Sequence, residues 1–423
     1  MRPQPTYDPA RGQPQNPSQN SSQDNTSPDR SQARLFVLAA ILFLSYLCVA
    51  ISLPVTPLFV TQTLGLGNFW AGLGVGSAFL ATILTRSVAG NLVDGGGAKP
   101  AVARGLALYI AGGLVSLGAG MLPPLPWAGP WAAFAVLVAG RLLIGLGESL
   151  VGVGVIAWGI GIVGPQRSGK VLALVGAALY GAFAAGGPLG LLLLDGIGFA
   201  GTMAVGALLP ALGLLAIRPM TGVAAHPGAK RPPFRSVLGR IWLHGAVVSL
   251  QGIGFAAIGA FFTLHFVHES WPFAGLGLTA FGVGFVLVRF AFGHLPDRIG
   301  GLPVAMGSLA VEAVGQLLVW SAGDPTLALV GAFLTGLGCS LVFPAMGREV
   351  VHLVQPHLRA TALGAFAAFQ DVAYGLTGPV AGLLADRTGY GSVFLLGGAA
   401  AAVGFLTALH MRRTLVAASP PPA

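Results

Sequence analysis

The chain has 423 residues, of which 54% are hydrophobic and only 8% charged; a soluble domain carries about 25% charged residues, so water is not its main solvent. Its 65 glycines lie inside apolar runs without a G-X-Y period, which excludes collagen and low-complexity disorder and suits membrane helices, where small residues let backbones approach. The formal net charge of +9 would point to nucleic acid or another acidic partner in a soluble protein, but here its position along the chain decides its meaning.

Residues 1–33 are rich in Pro, Gln, Asn and Ser and cannot bury enough apolar surface to fold, so they read as a disordered cytoplasmic tail. The first apolar run starts near Leu35 and is too long for a signal-peptide core. A spanning helix needs roughly 20 mostly apolar residues. Segments of that size fall at 35–60, 69–92, 99–121, 131–160, 170–194 and 197–217. Six more fall at 239–266, 272–295, 302–321, 325–346, 360–385 and 390–411. The expected architecture is an all-α integral membrane protein of twelve spans, with an N-terminal bundle over 34–217 and a C-terminal bundle over 239–411. Residues 218–238 join the bundles and carry Pro219, Pro227, Pro232 and Pro233 with Lys230, Arg231 and Arg235 but no acid. They read as a flexible basic linker. Residues 412–423 form a short second tail. Cys48 and Cys339 sit within apolar runs and read as buried free thiols.

With the N-terminus inside, the even-numbered connections hold Lys99, Arg104, Arg167, Lys170, Arg218 to Arg240, Arg298, Arg348 and Arg359. The odd-numbered ones hold almost none, Arg387 being the exception. This positive-inside pattern places both termini in the cytoplasm and explains the basic balance as topology, with no nucleic-acid partner.

The two halves repeat. Arg86-Ser-Val-Ala-Gly90-Asn-Leu92-Val-Asp94-Gly-Gly-Gly97 matches Arg289-Phe-Ala-Phe-Gly293-His-Leu295-Pro-Asp297-Arg-Ile-Gly300 at one constant offset. Gly145-Leu-Gly-Glu148-Ser-Leu-Val matches Gly336-Leu-Gly-Cys339-Ser-Leu-Val. Gly187-Pro188 and Gly378-Pro379 are each followed at equal distance by Asp195 and Asp386. Parallel duplication of this kind is a plan of secondary transporters.

The stretch Gly90-x-Leu92-x-Asp94-x-x-Gly97-x-Lys99 resembles the loop signature of the major facilitator superfamily, and its second copy begins at Gly293 and includes Asp297-Arg298. Leu137-x-x-x-Arg141-x-x-x-Gly145-x-Gly147 resembles the helix-four motif of the proton-driven members. Gly187-Pro188-Leu-Gly190 resembles in part the helix-five motif of exporters. The chain departs from the pattern at Gly95, where a basic residue is usual, and in the displaced glycines around Pro188. Within the superfamily it looks like the bacterial arabinose-efflux-like or permease branch. The resemblance implies two six-helix bundles rocking about a central site in the bacterial inner membrane, with a monomer as the default. It also implies that Asp94 and Asp297, with Gly90, Gly97, Lys99, Gly293 and Arg298, lock the halves together at the cytoplasmic face. Arg86 and Arg289, two turns deeper, either join that lock or snorkel to the surface.

A charge at the bilayer centre costs about 2.5–3.5 kcal/mol, so charges kept there face a cavity or a partner. Arg141 and Glu148 are seven apart on span four, on nearly one side and about 10 Å apart along the axis. The second half has Ala332 and Cys339 at those places, so the scaffold does not demand the pair. Glu148 is expected to carry a proton or contact the solute, with Arg141 favouring its ionised form; the alternative is a structural ion pair. Asp371 in span eleven, beside Gln370, is either a second such site or a hydrated residue near the mouth. Tyr46 and Gln251 are candidate cavity residues. Glu312 lies in span nine, which the resemblance puts at the edge of the bundle. His265-x-x-His268-Glu269 sits near an outer loop and reads as interface residues, with no metal assigned. The Gly-Leu-Gly and Gly-Val-Gly strings lack the Lys-Ser/Thr of a phosphate loop, so no nucleotide or other cofactor is expected, and no nucleophile or redox centre points to an enzyme. The expected activity is proton-coupled efflux of a small organic solute. Symport or uniport into the cell is the alternative, and a membrane sensor or scaffold the third reading.

Overall fold

The computed structural model describes residues 28–123, 125, 128–223, 235–355 and 358–418. Its helices are α1 (Pro28–Leu58), α2 (Asn68–Gly96), α3 (Ala98–Met121), α4 (Pro130–Val163), α5 (Ser168–Ala216), α6 (Arg235–His268), α7 (Leu276–Phe292), α8 (Leu295–Ile299), α9 (Gly301–Ser321), α10 (Pro325–Leu353), α11 (Arg359–Thr388) and α12 (Gly391–Ala418). There is no strand among the described residues. Helix α1 starts at Pro28 and α12 ends at Ala418, so residues 28–33 and 412–418, expected in the tails, are helical. The remainder of both tails, and linker residues 224–234, lie outside the described residues.

Nine of these helices are long and apolar enough to cross a membrane. One of them, α5, contains two expected spans. At Gly198 the backbone turns through φ 68° and ψ −179°, which joins two legs without a loop. Such a φ suits glycine, which has no Cβ to clash. The eighth span is α7 followed by α8, because Pro296 cannot donate the next ladder hydrogen bond. Its repeat-mate Val93 can, and α2 runs unbroken to Gly96. The eleventh span, α11, falls outside the nine because it carries polar residues such as Gln370 and Asp371. Counting both legs of α5, the α7–α8 pair and α11 gives twelve crossings in two similar halves.

The repeat is visible in atoms as well as letters. Gly97 and Gly300 turn with the same φ and ψ, 88° and 157° against 91° and 157°. Gly198 and Gly389 form a second matched pair at positive φ. Gly145 abuts the Ala78 carbonyl in one half, and Gly336 abuts the Phe281 carbonyl in the other. Each contact would be lost with any larger side chain.

The halves meet along two seams, α2 on α11 and α5 on α7, with a smaller contact between α1 and α6. Both seams are tightest at the end of the molecule away from the chain termini, here called the far end. A Cβ at Gly72 would strike the Gly378 carbonyl, one at Gly76 the Gly375 carbonyl, and one at Gly382 the Asn68 carbonyl. In the second seam Gly187 meets the Gly275 carbonyl and Gly282 meets Ala184. At the termini end, Gly95 and Gly96 of α2 and Gly169 and Gly176 of α5 face open space. A groove lined by Leu35, Phe36, Lys170, Leu174 and Phe290 lies between α1, α5 and α7 there. The described conformation is therefore closed at the far end and splayed at the termini end.

Candidate functional site: a charged cluster between the halves

Four polar helix positions converge near mid-height. Asp371 of α11 pairs with Arg86 of α2 across the seam, with Oδ2 2.8 Å from Nε and 2.6 Å from Nη2. The Asp371 side chain is 9% exposed and that of Arg86 26%. Glu148 of α4 is buried beside them, and the Tyr46 phenol of α1 lies within hydrogen-bonding reach of its carboxyl. Glu148 Oε2 has no hydrogen-bond partner among the described residues. The carboxyls of Glu148 and Asp371 feel each other electrostatically, and Arg86 lies close to both.

Arg141 is completely buried and donates from Nη1 to the Ser52 hydroxyl of α1. Its Nε and Nη2 have no partner among the described residues. Among those residues it forms no ion pair with Glu148, although the carboxyl lies within its field along with Cys48 and Tyr109. Seven residues of helix put the two side chains on one side but too far apart axially to touch.

Beneath the cluster, toward the far end, aromatic rings cross from one half to the other. Tyr46 packs on Phe183, Phe183 on Phe255, Phe255 on Tyr374 and Tyr374 on Phe79, with centroid separations of 6.2, 5.2, 4.8 and 5.2 Å. Tilted and edge-to-face contacts of this kind favour ring over ring. They come from α1, α5, α6, α11 and α2 in turn, and form a floor below the Arg86–Asp371 pair. Gln251 of α6 accepts a hydrogen bond from Gln370 Nε2 at 3.2 Å, which places it beside Asp371.

The loop-signature residues are arranged otherwise. Asp297 is 83% exposed and approaches Arg348 of its own half at 3.7 Å. Lys99 donates to the carbonyls of Arg218 and Met220 at 3.0 and 2.6 Å, and Arg34 donates to the Thr221 carbonyl at 2.6 Å, so both hold the chain as it leaves α5. Arg289 donates to the Ser340 carbonyl at 3.0 Å inside its own half. Gly90 is buried, Gly293 and Arg298 are exposed. Arg86 joins Asp371 instead of a surface lock.

One group of residues was not singled out from the sequence. At the far end Asp386 accepts from the backbone N–H of Asn68 at 3.1 Å and of Phe69 at 3.4 Å, and from Asn68 Nδ2 at 2.8 Å. It thus caps the N-terminus of α2 from the opposite half, as a carboxylate can for unpaired helix N–H groups. Tyr390, in the turn after α11, donates to Asn68 Oδ1 at 3.0 Å. The signal available was the matched pair Asp195 and Asp386, but only the second finds a helix end.

Twelve helical crossings in duplicated halves, enclosing a buried charged cluster at mid-height, define a membrane protein that moves solutes between the two halves. Residues 38–271 and 245–423 each match the Major Facilitator Superfamily, and the chain belongs to that family. It is 43% identical over 372 residues to an uncharacterised MFS-type transporter of Salmonella typhimurium, covering 88% of this chain and 94% of that one. It is 39% identical over 379 residues to another such transporter from Burkholderia mallei, covering 89% and 92%. Among solved structures, the nucleoside transporter NupG superposes with a TM-score of 0.72 at 16% identity, over 89% of this chain and 99% of that one. The human organic anion transporter MFSD10 gives 0.68 at 17% identity, over 90% and 100%. At these identities the two superpositions speak for the fold alone.

Proposed function

We propose that this membrane transporter of the superfamily exports a small organic solute in exchange for protons, with the termini end facing the cytoplasm of a bacterium, and that it works as a monomer. The observation that carries this reading is the Arg86–Asp371 pair, made between the halves and adjacent to Glu148. Protonating Asp371 removes its charge and frees Arg86, which weakens the seam; a solute that takes over either charge does the same. Proton and solute thus compete for one bond, and competition is what exchange requires. The aromatic floor offers the apolar body of a solute a surface, while Glu148, Asp371 and Arg86 address its polar groups. Gly187 lies in the α5–α7 seam, where the helix-five motif would act as a hinge. The lysines and arginines at the termini end support the cytoplasmic orientation.

The test is proton release from everted vesicles holding an imposed pH gradient while a panel of compounds is added. A compound that collapses the gradient in wild type but not in Glu148→Gln or Asp371→Asn supports exchange. Labelled compounds that cross down their own gradients equally in all three, with no proton movement, replace it with uniport.

A further inference from the structure

A second carboxyl is buried inside the C-terminal half, away from the central pair. Glu312 of α9 is 0% exposed, and no N–H or O–H group among the described residues reaches either of its oxygens. One turn on, Gln316 Oε1 is also unpartnered, while its Nε2 donates to the Gly254 carbonyl at 3.2 Å and the Thr335 hydroxyl at 3.3 Å. No Lys or Arg pairs with Glu312 among the described residues. The titratable groups that face it are the Cys339 thiol of α10 and the Tyr374 phenol of α11. From α6 comes Gly254, and α12 brings Gly397 against Gln316, so neither contributes charge.

The scaffold does not ask for this acid. Its repeat-mate is Tyr109, which packs on Gly147 as Glu312 packs on Gly338. An ionised carboxylate left unpaired inside protein costs several kcal/mol, so the group needs a cation or a proton. A metal ion needs several oxygen ligands around it, and the space is taken: a Cβ at Gly254 would already collide with Glu312 Oε1. A proton needs no such room. The site is also connected. Cys339 neighbours Gln251 as well as Glu312, Gln251 is bonded to Gln370, and the next residue is Asp371.

We propose that Glu312 is a second proton-binding carboxyl, held in the C-terminal half and linked to the central cluster through Cys339, Gln251 and Gln370. The step is addition of one proton, given up by hydronium in the solution that enters between the halves, to a carboxylate oxygen, and its return the same way; a group on the route gives up one proton as it takes another, so the net change is one O–H broken in solvent and one formed on the carboxyl. The part it plays in transport rests on the proton-coupled reading above, whereas the binding itself does not.

The experiment is infrared difference spectroscopy of the full chain in liposomes, between acid and alkaline buffer, in a Glu148→Gln/Asp371→Asn background. The expected result is a protonated-carboxyl band that appears in acid, shifts with 13C-labelled glutamate, and vanishes on adding Glu312→Gln. Gln251→Leu is expected to slow its appearance at least tenfold after a pH jump. The other glutamates of that background are Glu269 and Glu349, so a labelled band that survives Glu269→Gln/Glu349→Gln is assigned to Glu312 even where Glu312→Gln does not fold. Absence of the band, a band that ignores the label, or one displaced by sodium at constant pH overturns the proposal. A band that behaves as expected in a protein whose transport moves no protons keeps this site and discards the exchange reading.

Discussion

The two seams occupy equivalent places in the duplicated fold, yet among the described residues only one carries an ion pair. In the α2–α11 seam Arg86 meets Asp371, and Asp386 caps α2. In the α5–α7 seam the mate of Asp371 is Tyr180, which stacks on Phe285. The mate of Arg86 is Arg289, which bonds within its own half, and the mate of Asp386 is the exposed Asp195. The cross-seam hydrogen bond there is neutral, from the Thr279 hydroxyl to the Ala184 carbonyl at 2.7 Å. Duplication supplied the same backbone twice, and side chains then gave one seam an ion pair and left the other with neutral cross-seam contacts. Under the proposed exchange, the paired seam is the one that answers to protons and charged solutes, and the other serves as the pivot.

The largest effect is expected from unbalancing the charged seam. Asp371→Ala leaves Arg86 without its partner, and breaking a buried pair costs about 3–5 kcal/mol; the melting temperature in detergent should fall accordingly. Arg86→Leu combined with Asp371→Leu should restore most of it, because both charges then leave together. A double variant as unstable as the single one would remove the pair from the account. Next comes steric opening of the same seam. Gly72→Val drives a side chain into the Gly378 carbonyl, and overpacking costs about 1–3 kcal/mol. Labels across the far end should move apart, whereas Gly96→Ala, which faces open space, should leave those distances unchanged.

A smaller effect is expected at the cap. Asp386→Ala should cost about 1 kcal/mol of far-end closure, the usual worth of an N-cap, or roughly fivefold in the ratio of closed to open molecules. Thiol-reagent access to a cysteine placed at the far end reads that ratio. The matched change Asp195→Ala should be silent in the same assay. The smallest effect is expected from Arg289→Gln: the hydrogen bond it removes lies inside one half, so its net worth of about 1 kcal/mol is lost from both open forms alike and cancels, and proton-driven exchange should stay within about twofold of wild type. Loss of exchange in Arg289→Gln with retention in Arg86→Gln would invert the comparison.

Much of the fold could be read from local pattern, because membrane crossings are written in length and apolarity. The span count and the duplicated Gly97 and Gly300 follow from residues close together in the chain, whereas the eighth span was expected as one segment over 272–295 and instead breaks after Phe292. The corner at Gly198 looked like a gap between two helices, since nothing in a single glycine announces a left-handed turn. The site was half legible. A charge in an apolar run marks Glu148, Asp371 and Arg86 as unusual, but the pairing of residues 86 and 371 joins opposite halves and leaves no local trace. Arg86 lies two turns from Asp94, so the sequence left it between the surface lock and snorkelling, and neither reading named Asp371. The cap at Asp386 was hidden for the same reason. The glycines at 72, 76, 375, 378 and 382 have the spacing of close-packed helices, but spacing names a face without naming its partner.

The central claim is that the α2–α11 seam responds to protons while the α5–α7 seam pivots. Pulsed dipolar distances test it without knowledge of the solute. Spin labels at Gln62 and Arg387 report the first seam at the far end, and labels at Asp195 and Pro272 the second, each in liposomes under acid and alkaline conditions. The account predicts that acid lengthens or broadens the first distance, that Asp371→Asn fixes it in the acid form at both conditions, and that the second distance changes little throughout. Equal movement of both seams with pH, or a first distance that ignores both pH and Asp371→Asn, would contradict it.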